Sequence, residues 1–240
     1  MNPTSTLNGT LAPSEHVLLF PSDFAGRVPV QGGNTGPLPH DGTPVNWSSV
    51  ARAALIAALL ANEEAGAFRI EMRSEPVKKW FGLKTVHEPM LRLIPTGTAP
   101  WPAGTLEARI LAAAGEAAGR VKDPLQVRHV VSAVWPGTVT SPENETVHFA
   151  LDAMAARGII ERTEERKRTL AIFKSTDVRY AVPAATATMR ATLPVDSTHS
   201  LFDACANGRP EVWTNLQTDV ATGLAWSETS DNDHDYGDFD

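Results

Sequence analysis

Arg166, Lys167, Arg168 and Lys174 put four cations within nine residues, around Leu170, Ile172 and Phe173. Cations beside apolar side chains suit an anionic surface, because each basic group near it is worth about 1 kcal/mol and apolar groups add burial. Lys78-Lys79-Trp80-Phe81 mixes the same residue types and reads as a lysine-capped hydrophobic cluster or as a second such contact. Other chemistry is thin. The seven histidines, at 16, 40, 87, 129, 148, 199 and 234, show no metal-ligand spacing. Cys205 has Arg209 as its nearest cation and reads as an inert thiol. Asp231, Asp233 and Asp235 alternate as calcium ligands do, but glycine falls at the seventh place and no glutamate closes the loop, which favours a solvated acidic tail. Phosphate-loop, dinucleotide, zinc-protease and nucleophile-elbow patterns are absent from the sequence. The expectation is a protein without catalytic residues, metal or cofactor.

A chain of 240 residues with 42% hydrophobic content can build a real core. Its net charge of -7 resides mainly in the last sixteen residues, which hold six acids and no Lys or Arg. That balance argues against a general polyanion binder. A single cysteine excludes an internal disulfide and fits a reducing, cytoplasmic setting. The amino end lacks the pattern of a secretory signal, and the longest purely apolar run, Ala53 to Ala61, is too short to span a bilayer.

Positioning the cationic segment falls to a set of helices and hairpins. Residues 1–45 hold seven of the 18 prolines and six of the 17 glycines, so an irregular arm is expected, with the apolar segment His16 to Phe20 docked on the core. A helix is predicted from about 48 to 63, nearly apolar all round except Arg52, and therefore central. Phe68-Ile70-Met72 and Met90 to Ile94 alternate as strands of a hairpin with a long connection. Thr105, Asp123-Pro124 and Ser141-Pro142 start three further helices, the last ending at Gly158. Strands at 159–160, 169–173 and 178–182 follow, around a basic turn at 164–168. The expected organisation is a helical core domain over 46–190 with two hairpins, an extension over 191–224 with an amphipathic helix through Val212 and Val220, and a disordered acidic tail over 225–240.

Three helices followed by a hairpin is the element order of a winged-helix module. In that reading the helix from Pro142 to Arg157 enters a major groove, and Arg166 to Arg168 contact phosphates. Its outward groups, Glu143, Glu145 and Asp152, would repel phosphates, so nucleic acid is the less favoured partner and a protein partner the alternative.

Several segments resemble the Golgi phosphoprotein 3 (GPP34) family, and the chain is similar to a remote bacterial-type member. They are Leu11-Ala12-Pro13-Ser14-Glu15-His16-Val17-Leu18-Leu19-Phe20, Ala51-Arg52-Ala53-Ala54-Leu55-Ile56, the run Leu151 to Arg162, and Ile172 to Pro183 with its Arg-Tyr-Pro ending. The resemblance implies a mainly α single domain and a non-enzymatic, peripheral membrane role, with phosphatidylinositol 4-phosphate recognised in eukaryotic members. It makes Arg166, Lys167, Arg168 and Lys174 lipid-binding, Leu170, Ile172 and Phe173 membrane-contacting, and Arg52 and Trp47 candidates for a phosphate pocket. The family's arginine pair would fall at Asn144 and Val147, so that pocket is incomplete. Arg52 pairing with an acid, and Trp47 serving as a helix-start staple, are the plain alternatives.

Overall fold

A computed structural model describes residues 11–32, 35–37, 44–79, 84–121, 124–135, 139–169, 173–183 and 195–228. The described elements are mainly helical, with three two-stranded antiparallel sheets where two hairpins were expected. Helices α1 (Pro13–Leu19) and α2 (Pro21–Phe24) lead through a 3-10 turn (Ala25–Arg27) to a small ribbon of β1 (Thr35–Pro37) and β2 (Pro44–Asn46). The amino-terminal region is therefore more than an arm with one docked segment. Proline at the first helical position starts both short helices, and burial holds them: Val17, Leu18, Leu19, Phe20 and Phe24 all enter the core.

Helix α3 (Trp47–Glu64) begins where Asn46 accepts a hydrogen bond from the Ser49 amide at 2.9 Å. It is buried from Ser49 to Asn62 save for Arg52, as its apolar composition predicts. Strands β3 (Phe68–Lys79) and β4 (Lys84–Pro95) then pair over twelve residues each, from Phe68↔Pro95 to Lys79↔Lys84. The strands run well past the alternating apolar segments. The connection is short, because an exposed ribbon extends by pairing backbone groups without needing apolar side chains. Helix α4 (Leu106–Arg120) has the expected Thr105 cap. Helix α5 (Val127–Val134) starts later than Asp123-Pro124 suggests, because the Leu125 carbonyl and Gln126 are used in pairing with Leu93 and Arg92 of β4; Asp123 itself lies outside the described residues. Helix α6 (Pro142–Ala156) ends before Gly158, whose φ of 72° is the left-handed conformation a C-cap needs.

After the last hairpin, β5 (Glu161–Thr169) and β6 (Phe173–Ala181), come α7 (Val195–Gly208) and α8 (Pro210–Glu228). They form part of the same core, to which Phe202, Cys205, Val212, Leu216, Val220 and Leu224 all belong. Helix α8 also continues past 225, where a disordered tail was expected to begin. Gly223 lets it approach α5 closely: a Cβ there would lie 2.7 Å from the Arg128 carbonyl oxygen.

Three consecutive residues of α1 tie the core together. Ser14 donates its amide and its hydroxyl to the two oxygens of Glu107 on α4, each at 2.8 Å. The carboxylate of Glu15 is ion-paired with Arg157 at the end of α6, and His16 Nδ1 shares a 2.8 Å hydrogen bond with the Thr198 hydroxyl on α7. At the far end of α3, Glu63 accepts the Ile70 amide and pairs with both terminal nitrogens of Arg209, at 2.9 and 2.6 Å. One carboxylate thus fixes the start of β3 and the α7–α8 junction against α3.

Candidate anionic-surface interface

Register decides where the cations of the last hairpin sit. Arg162 pairs with Tyr180, Arg166 with Thr176, Lys167 with Ser175, Arg168 with Lys174, and Thr169 with Phe173. The run 164–168, expected to turn, is strand. Charged residues in a solvated two-stranded ribbon carry no burial requirement, so polarity gives no information about where the chain reverses. The reversal falls instead between Thr169 and Phe173. Arg166, Lys167 and Arg168 therefore belong to β5 and Lys174 to β6, all in the last four register pairs. Phe173 is the first residue of β6, whereas Leu170 and Ile172 lie outside the described residues.

The base of this hairpin is fastened to α6 by a polar cluster. The Tyr180 hydroxyl donates to Asp152 Oδ1 at 2.9 Å, and Arg162, opposite Tyr180 in register, reaches the same oxygen through Nε at 2.8 Å. Arg162 also meets Glu164 at 2.7 Å. Burial, followed by the adjacent Asp152 carboxylate, pushes the Tyr180 phenol up to about 12. His148 Nδ1 lies 3.5 Å from the same hydroxyl. An open cleft of about 760 Å³ lies beside the cluster, lined by Asp152, Ala155, Ala156, Ile160, Arg162 and Thr163 among others.

Trp47 joins this cluster from α3. Its ring meets His148 edge-on, with centroids 5.1 Å apart and planes at 70°. Gly36 covers it so closely that a Cβ would lie 2.9 Å from Nε1, and that nitrogen is buried without a hydrogen-bond partner among the described residues. Trp47 is thus a packed element between β1, α3 and α6. Arg52 stands one and a half turns further along α3 and pairs with Glu143 at 3.4 Å. A carboxylate so close neutralises the guanidinium and would oppose a phosphate. Val147 is in the core, and Asn144 is half-buried. Trp47 and Arg52 therefore lie along the α3–α6 contact, Arg52 already bound to an acid.

Sequence reasoning does not bring Tyr180, Asp152, Arg162 and His148 together. The signal available was the i, i+4 spacing of His148 and Asp152, which puts both on one helix face. Arg157, the one cation expected at the outward end of α6, is drawn inward to Glu15. Among the described residues no helix is long and apolar enough to cross a membrane, and no group of His, Cys, Asp and Glu could hold a metal ion. No family model, curated protein or solved structure matches the chain.

Proposed function

We propose that this chain is a non-enzymatic, peripheral membrane-associating adaptor that meets anionic lipid at the cytoplasmic face of a membrane through β5–β6. The observation that carries the reading is the register at the end of that hairpin. Four cations fall in its last four pairs, no acid occurs from 166 to 176, and the connecting residues are apolar. Such an end can pair with headgroups while its apolar residues enter the interface. The resemblance to GPP34 proteins points the same way. With Arg52 engaged by Glu143 and no cation at 144 or 147, charge attraction rather than a phosphoinositide-specific pocket supplies the affinity.

The titratable groups at the hairpin base and on α7 favour a scaffolding role. Tyr180 is pushed away from ready ionisation, and burial pushes the Cys205 thiol up as well. A winged-helix reading, with nucleic acid as partner, is opposed by α6. Its exposed Glu145 and Asp152 are acidic, and its terminal cation is spent on Glu15. Co-flotation with neutral and anionic vesicles over a salt series, with duplex DNA as competitor, tests the proposal. Salt-sensitive binding to anionic vesicles that is lost in an R166E/K167E/R168E variant is expected. Binding to DNA in preference to vesicles would overturn it, and binding to neither would leave a protein-interaction module.

A further inference from the structure

The two long hairpins share an arrangement at their ends. In β3–β4 the last register pair is Lys79↔Lys84, preceded by Lys78↔Thr85; in β5–β6 Arg168 is paired with Lys174. Each hairpin thus places a cation directly opposite a cation, a juxtaposition that costs stability within a ribbon. Neither end carries an acid of its own, since residues 76–87 and 166–176 contain no Asp or Glu.

The remainder of the first hairpin holds all its acids, Glu71, Glu75 and Glu88, with Glu75 opposite Glu88 in register. Arg69 and Arg73 both meet Glu71, at 2.6 and 2.8 Å, and Arg92 is ion-paired with Glu75. Arginines on the proximal part of this ribbon are therefore each paired with an acid within the molecule, whereas the sequence places no carboxylate at the strand positions next to the lysines at its end. A like-charge pair opposed in register at the end of a ribbon is stabilised when an external anion comes between the charges.

From this pairing we infer that the end of β3–β4, through Lys78, Lys79 and Lys84, is a second contact for an anionic lipid surface. The inference rests on the membrane reading of β5–β6 and extends it to two separate contacts. A protein with two modest electrostatic contacts binds a charged surface far better than with either alone, provided both can engage, and its attachment falls steeply with salt.

The test is flotation of the full chain with vesicles of equal parts phosphatidylcholine and phosphatidylserine, at low and at physiological ionic strength. Wild type is compared with K78Q/K79Q/K84Q, R166Q/K167Q/R168Q, the variant combining both sets, and the charge-preserving K78R/K79R/K84R. Thermal unfolding is followed in parallel and is expected to remain unchanged or to rise slightly, since like-charge pairs are being removed. Each neutralised set is expected to weaken binding by about tenfold or more, the combined variant to lose it, and the arginine variant to retain it. Unchanged binding by K78Q/K79Q/K84Q, with loss in R166Q/K167Q/R168Q, would overturn the second contact and leave the first. Loss only in the lysine set would instead overturn the role of β5–β6. Failure of the wild type to bind these vesicles would overturn both.

Discussion

The guanidinium of Arg157, at the end of α6, is ion-paired with the carboxylate of Glu15 in the first turn of α1, and Glu15 is only 1% exposed. The pair couples the entry of the fold to the helix that carries the last hairpin. It also ties up a cation that a nucleic-acid reader would need. Removing one member leaves a buried charge without its partner, so Arg157→Met is expected to cost about 3–5 kcal/mol. Glu15→Gln in the same chain should restore much of it. Urea unfolding of the two single variants and the double variant measures the coupling, and additive losses would show that the pair does not act as a unit.

His16, the next residue, gives the fold a dependence on acid. Its imidazole is buried and desolvation lowers its pKa to about 4, while the unfolded chain protonates near 6.5. Between these values the unfolded state binds more protons, so this contribution is complete above pH 6.5 and is lost as pH falls toward 4. Over that window it amounts to about 3 kcal/mol. Glu107 acts in the opposite sense. Burial raises its pKa, which favours the folded state as pH falls. The expected signature is therefore the difference between wild type and His16→Gln: urea midpoints from pH 7 to pH 4 should fall more steeply for wild type. Parallel curves would contradict the assignment.

Two glycine substitutions should have opposite signs. Gly223→Ala forces a methyl group to within 2.7 Å of both the Arg128 carbonyl oxygen and the Val131 Cβ, so α8 must move off α5, at a cost of about 1–3 kcal/mol. Gly115→Ala, on the exposed side of α4 with nothing near the added carbon, should gain about 0.5–1 kcal/mol from helix propensity. Melting temperatures of the two variants check both directions.

Tyr180→Phe removes the hydroxyl that ties β6 to Asp152 while keeping the ring beside His148. A loss of about 1 kcal/mol is expected, confined to the hairpin. Hydrogen exchange should speed up in β5–β6 and stay unchanged in α3. Uniform acceleration across the molecule would mean that the hairpin is not a separate opening unit.

Much of the helical frame is legible in the sequence because its signals are local. Asn46, Thr105 and Gly158 mark helix ends by their own hydrogen-bonding or backbone preference, and the alanine-rich stretch around Leu55 has nowhere to be stable except inside. The hairpins are less legible. Glu164 to Arg168 read as a turn from polarity, yet their strand is specified by pairing with residues 174–178, which composition does not encode. The pairing of Lys79 with Lys84 is invisible for the same reason. Helices α7 and α8 are hard to read from the chain because their apolar faces are sparse and gain meaning only against α5 and α3. At the hairpin base, Tyr180, Asp152 and Arg162 meet only once β5 and β6 fold back on α6, so the spacing of His148 and Asp152 places only those two together in advance.

Hydrogen exchange of the full chain with and without phosphatidylserine-containing vesicles reads the contact surface directly. Added protection should concentrate in the distal halves of β5–β6 and β3–β4, leaving α6 unchanged, and should disappear as salt is raised. Protection along the outer face of α6, around Glu145 and Asp152, with none in either hairpin, would contradict a cationic-hairpin attachment.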